Sequence, residues 1–200
     1  MMTIKTKAEL KEYIEADLFR YCGKRDKKNL RKYKRASSGF RFTYYMRKCN
    51  YYRGCAFPKN LMSIPYRFLK DRTGVKFGYD IYELTQIGKG FHIAHFGGIV
   101  VHADAVLGEN ASISQCVTVG NVIKDGKELV PVIGDNVYLA PGCKVIGGIR
   151  VGNNVTVGAN AVVTKDLPDN SVAAGVPAKV IKLNKKNEYI INPIPTERDN

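Results

Sequence analysis

The chain has little of several things. No apolar run approaches the length that spans a bilayer. The first residues, MMTIKTKAELKEY, hold no apolar stretch of the kind that leads a secretory signal. A cytoplasmic location is therefore expected. Cysteine is sparse and irregular: Cys22, Cys49, Cys55, Cys116 and Cys143 are odd in number and form no CxxC. That argues against a disulfide framework or a zinc ribbon and leaves free thiols. Histidine is rarer still. His92, His95 and His102 all fall within IGKGFHIAHFGGIVVH. Acidic residues are scarce in one region only. Residues 1–70 hold 19 Lys+Arg against 5 Asp+Glu, a net +14, whereas residues 71–200 hold 13 of each, a net zero. Such asymmetry predicts an anionic partner for the first third. Nucleic acid is the weaker choice, because no recognition motif accompanies the charge.

What is present suits one domain with a smaller appendage: 200 residues, 44% hydrophobic and 25% charged. Residues 1–75 read as a basic α-helical region. TKAE at Thr6–Glu9 fits a capping box. Leu10, Tyr13, Ile14 and Leu18 then recur at helical spacing, with Gly23 as a stop. A basic run, GKRDKKNLRKYKR, and a basic-aromatic run, FRFTYYMRKCNYYRG, follow. Residues 184–200 are polar and contain proline. They read as a tail, either an arm or disordered.

From Ile87 an aliphatic residue returns every six positions. The units are IGKGFH and IAHFGG, then, after a slip of two residues, VHADAV, LGENAS and ISQCVT. After an interruption come IGDNVY, LAPGCK, VIGGIR, VGNNVT, VGANAV and VTKDLP. A helix needs a period of 3.6 and a simple strand a period of two. Period six with Gly and Asn at turns is the signature of a parallel β-helix of hexapeptide repeats. Its first and fifth positions should point inward. The fold class is thus mainly β, a solenoid over residues 76–183 preceded by the helical region. The polar insert 121–132 breaks the phase once and must leave the prism as a loop, a usual place for function.

These hexads resemble the hexapeptide-repeat acyltransferases, which are left-handed β-helices. DIYELTQIGKGFHIAHFGGIVV, SISQCVTVG and VTKDLPDNSVAAGVPAKVI carry the resemblance. Within that superfamily the chain is most similar to serine O-acetyltransferases and their capsule- and lipopolysaccharide-associated relatives. The resemblance implies acetyl transfer from acetyl-CoA to a hydroxyl, a homotrimer, and an active site between subunits. It places the catalytic histidine on His95, its orienting acid on Asp80, and an oxyanion donor at Gly120. It points to Ala140, Ala159, Thr164, Lys165, Lys179 and Lys182 for coenzyme A.

The chemistry fits those residue types. A hydroxyl needs a base to take its proton as it attacks a thioester, and histidine titrates near neutrality. A carboxylate on the far nitrogen fixes the tautomer. Asp80 lies fifteen positions before His95, nearly one coil, and so is expected to stack beneath it. His95 is third in its hexad and should face outward. His92, sixth, and His102, second, should also face out, as lining of a substrate groove. The chain departs from the serine acetyltransferase pattern at Ala94, where that family has Asp, and at Leu129 and Val130, where it has Arg-His. The departures remove the charged grip on an amino acid. They favour a sugar hydroxyl in surface-polysaccharide biosynthesis, with serine O-acetylation as the alternative. A zinc-dependent β-helix enzyme of carbonic-anhydrase type is the alternative of another class, although no metal is expected. Peripheral contact of residues 1–70 with an anionic membrane is a further expectation.

Overall fold

A computed structural model describes residues 4–183 and 187–196. Four helices come first: α1 (Lys7–Cys22), α2 (Lys27–Ala36), α3 (Ser38–Arg53) and α4 (Ser63–Phe77). Helix α1 starts at the expected capping box. Thr6 accepts from the Glu9 amide, and the Glu9 carboxylate accepts from the Thr6 amide. It ends at Gly23, which is left-handed at φ 64°. Leu10, Ile14 and Leu18 are buried against Phe40 and Tyr51 of α3, with Tyr13 half-buried beside them.

The chain then winds through short strands. They are β1 (Tyr79–Ile81), β2 (Gln86–Ile87), β3 (His92–Ile93), β4 (Ile99–Val101), β5 (Val106–Leu107), β6 (Ser112–Ile113) and β7 (Thr118–Gly120). A hairpin of β8 (Val122–Lys124) and β9 (Lys127–Leu129) interrupts the winding. It resumes with β10 (Val132–Ile133), β11 (Tyr138–Leu139), β12 (Lys144–Ile146), β13 (Arg150–Val151), β14 (Thr156–Val157), β15 (Val162–Val163), β16 (Ser171–Ala174) and β17 (Lys179–Leu183). Three sheets form the faces of a prism. The first is β1-β4-β7-β12-β15, the second β2-β5-β10-β13, and the third β3-β6-β11-β14-β16 closed by antiparallel β17. All other pairs in these sheets are parallel.

The six-residue pattern has the predicted physical cause. First-position residues Leu107, Ile113, Ile133, Leu139, Val151 and Val157 are buried, as are fifth-position Ala111, Val117, Val137, Cys143, Val155 and Ala161. Burying each larger aliphatic side chain contributes about 1.5–3 kcal/mol. The fourth position turns the corner with positive φ, at Gly90, Asn110, Cys116, Asn136, Gly142, Asn154 and Asn160. Asparagine and glycine tolerate that conformation best. The second-position glycines stack in a column. A Cβ on Gly88 would lie 2.6 Å from the Gly108 carbonyl carbon, and one on Gly108 2.6 Å from that of Gly134.

Buried charge joins the helices to the solenoid. Arg47 of α3 donates to both oxygens of Asp17 in α1, at 3.0 and 3.3 Å, and to the carbonyls of Ile87 and Gly88, each at 2.7 Å. Asp17 also accepts from the Phe91 amide at 2.8 Å. Burial pushes the Asp17 carboxyl up, against the pull of Arg47. Arg20 donates to the Gly90 carbonyl, to Ser112 Oγ and to the Ile191 carbonyl. Glu83 takes Lys70 at 2.8 Å and Arg53 at 2.6 Å. Burial raises its pKa, but these partners outweigh burial and hold it below the ordinary range.

Residues 187–196 form a strap along the prism. Asn187 is buried, accepts from Thr156 Oγ1, and donates to the Asn136 and Val155 carbonyls. Asn110 exchanges two hydrogen bonds with the Ile194 backbone. Residues 184–186 and 197–200 of the predicted tail lie outside the described residues.

Candidate active site

The two-residue slip falls in the corner that carries His95. Ile93 pairs with Ile113 and Val101 with Val119, so the lower coil uses two residues more than the upper one between the third and first sheets. The excess lies in 94–98. Gly97 and Gly98 both have positive φ. The Gly97 amide donates to the Phe77 carbonyl, and its carbonyl accepts from Cys116. The enlarged corner holds His95 and Phe96 out, both exposed. Phe96 rests edge-on against Phe77, 5.7 Å between ring centres.

Asp80 stands in β1, one coil below Val100. The expectation that it stacks beneath His95 is therefore corrected: the chain under the His95 corner is Phe77, through its bond to Gly97. Asp80 is exposed and faces the flank of the same corner, in a cleft with Gly78, Gly98 and Val100. Among the described residues no hydrogen bond or ion pair joins Asp80 and His95. The register aligns Asp80, Val100, Thr118, Lys144 and Val162 up the first sheet. That face runs between the His95 corner and the hairpin.

His102 lies at the other edge of this face. Its Nδ1 accepts from the Asp104 amide at 3.2 Å, and its Nε2 lies 3.1 Å from Glu128 Oε1. Glu128 accepts from Asn121 Nδ2 at 2.6 Å. Glu128 and Asn121 do not stand out in the sequence as site residues. A signal for their hairpin is nevertheless there: Asp125-Gly126, both at positive φ, is a hairpin turn between Ile123-Lys124 and Lys127-Glu128. Gly120 ends β7 at the root of this hairpin, and its carbonyl accepts from Gly147.

His92 is a second correction. It does not line an open groove. The ring sits 4.4 Å from that of Tyr21 of α1, under the helical region. Burial, then the charge of Arg20, depress its pKa to about 3. Its outward hexad position becomes covered because α1 lies on the lower third sheet. Above that cover, Tyr138, Thr156 and Val172 remain as the floor of a groove of about 650 Å³. Tyr189 of the strap stacks on Tyr138 at 5.1 Å. Three of the residues implied for coenzyme A, Ala140, Ala159 and Lys182, line this groove. Thr164 and Lys165 follow β15 on a different corner, and Lys179 stands at the start of β17 opposite Ala174. The three histidines thus occupy three separate settings. Among the described residues no group of three His, Cys, Asp or Glu side chains could hold a metal.

The family described as bacterial transferase hexapeptide (six repeats) matches residues 131–165. The crystal structure of Neisseria gonorrhoeae serine acetyltransferase superposes with a TM-score of 0.73 at 30% identity, covering 92% of this chain and 71% of that one. Brucella abortus serine acetyltransferase in complex with coenzyme A gives 0.74 at 27%, covering 90% and 70%. The chain therefore belongs to the hexapeptide-repeat transferases, with their left-handed β-helix fold. Within them it falls in the serine acetyltransferase-like branch. Escherichia coli (strain K12) serine acetyltransferase is 39% identical over 114 residues, 57% of this chain and 42% of that protein. The Staphylococcus aureus (strain Mu50) protein is 39% identical over 105 residues, 52% and 49%. The chain thus spans less than half the length of these curated relatives.

Proposed function

We propose that this protein is an acetyl-CoA-dependent O-acetyltransferase with His95 as general base. The observation that supports this most is the enlarged corner, which exposes one histidine beside the first sheet on a solenoid shared with serine acetyltransferases. The acceptor hydroxyl gives its proton to the imidazole as its oxygen attacks the thioester carbonyl. The tetrahedral oxyanion is met by backbone donors near Gly120. Collapse breaks the C–S bond, and the thiolate of coenzyme A takes the proton back from the imidazolium. Asp80, on the flank of the corner, orients the ring once substrate is bound.

Coenzyme A lies in the groove over the third sheet, against Ala140, Ala159 and Lys182. Thr164 and Lys165 reach the cofactor from a neighbouring copy, and Lys179 stands at the margin of the groove itself, opposite Ala174. The place of Thr164 and Lys165 on another corner of the prism supports a trimer with its sites between subunits. Serine is the acceptor that the names of the relatives favour. A sugar hydroxyl is the second reading, favoured by Ala94, Leu129 and Val130, which offer no charge to an ammonium or a carboxylate. Thiol release from acetyl-CoA, measured with free L-serine and with a panel of saccharides, separates the two. Turnover with serine rejects the sugar, and turnover with a saccharide alone rejects serine. No thiol release with any hydroxyl acceptor would remove the proposal.

A further inference from the structure

The basic first third does not spread its charge evenly. The ends of α2 and α4 and the start of α3 enclose a pocket of about 460 Å³. Lys34, Arg35, Arg41, Arg72 and Lys76 line it, and Phe77 forms part of its wall. No acidic residue lines it. The buried cations Arg47 and Lys70, with Arg53 beside them, have counter-charges: Arg47 has Asp17, and Arg53 and Lys70 have Glu83. Among the described residues none of the five pocket cations makes an ion pair. Cations gathered around one cavity repel each other unless an anion joins them.

The pocket is also organised. Arg41 donates through Nε to the Lys34 carbonyl at 2.8 Å and through Nη2 to the Arg35 carbonyl. These are among the last carbonyls of α2, so Arg41 pins that helix end to α3. The side chains of Lys34 and Arg35 are thereby held opposite Arg72 and Lys76. Arg41 is partly spent in this way, and the other four supply the free donors. Arginine forks and lysine ammonium groups on three sides suit a compact, multiply charged oxyanion better than a single carboxylate. Phe77 links the pocket to the His95 corner, by ring contact with Phe96 and through the carbonyl that accepts from Gly97.

We infer that the cavity between α2, α3 and α4 is a binding site for a phosphate or diphosphate group. The inference does not depend on which acceptor is acetylated, so its failure leaves the acetyltransferase reading standing. The test is titration calorimetry of inorganic pyrophosphate into the full chain at near-physiological salt. One saturable site is expected, weakened about ten-fold or more in the Arg72→Ala/Lys76→Ala double variant. The charge-conserving Arg72→Lys/Lys76→Arg pair should restore most of the affinity. Lys27→Ala/Lys28→Ala removes the same charge from the far end of α2 and should leave binding unchanged. No saturable binding to the wild type overturns the site, as does undiminished binding in the first variant or equal weakening in the last. Two carriers of the same chemistry then distinguish the source. Uridine diphosphate competing with pyrophosphate identifies a soluble nucleotide. Sedimentation with phosphatidylcholine vesicles containing phosphatidic acid, but not with phosphatidylcholine alone, identifies a membrane-borne phosphate. Pyrophosphate binding with neither leaves the free anion as ligand.

Discussion

Residues 84–183 bury aliphatic side chains and no charged one, whereas residues 17–83 bury Asp17, Arg20, Arg47, Lys70 and Glu83. The solenoid is held by repetition: each coil repeats the one below, and a backbone group meets the same partner every turn. The helical region has no repeat to lean on. It attaches by directed charge, with guanidinium groups reaching the Ile87, Gly88 and Gly90 carbonyls where the first coil begins. The difference shows what each part is built to tolerate. A prism can carry an enlarged corner at 94–98 because the coils above it are in phase. The helical cap cannot lose Arg47 without stranding the buried Asp17.

The largest effect expected falls on chemistry in the solenoid. His95→Ala should lower acetyl transfer by about 10²–10⁴-fold, read by thiol release, with an unchanged urea midpoint because the side chain is exposed. A comparable loss of stability would show His95 to be structural. Next comes the cap. Arg47→Met leaves Asp17 buried without its partner and should cost about 3–5 kcal/mol in urea unfolding. Pairing it with Asp17→Leu should recover much of that, and additive losses would break the view of the two as one unit. In the column of second-position glycines, Gly108→Ala forces a Cβ into the Gly134 backbone. About 1–3 kcal/mol is expected there, read as a lower urea midpoint, and an unchanged midpoint would show that the column can part.

The smallest effect sits where the two regions meet. His92 has a folded pKa of about 3 against an ordinary 6.5. The unfolded chain therefore takes up the proton first as pH falls. Stability from this group is complete above the ordinary value and is withdrawn progressively from there down towards the folded one. Between neutral pH and about pH 5 the loss should be about 1–2 kcal/mol. His92→Gln should flatten that slope in parallel urea titrations at the two pH values. An unaltered slope would place the titration elsewhere.

Much of the molecule is legible in its sequence. The hexads locate the inward positions, and Thr6, Glu9 and Gly23 bound α1. The Gly97-Gly98 pair and the lost phase mark His95 as unusual. His92 shows where such reading stops. Its outward register is right, but only the docking of α1 turns an outward position into a covered one. The polar composition of residues 187–196 leaves an arm and disorder equally open, because the anchors of the strap are Asn110, Asn136 and Val155, distant in sequence. The hairpin differs again: Asp125-Gly126 is a local turn signal inside what otherwise reads as a plain polar loop.

Short-range chemistry settled the coil. A six-residue period, small residues at crowded corners and left-handed turns by Asn or Gly are local demands that each unit meets alone. The long-range arrangement settled what the coil is used for. Which histidine is exposed, which charges are buried in pairs and which cations surround a pocket without partners depend on segments far apart in the chain. Burial and Coulomb energy act between side chains brought close in space, and their spacing in sequence does not encode that closeness.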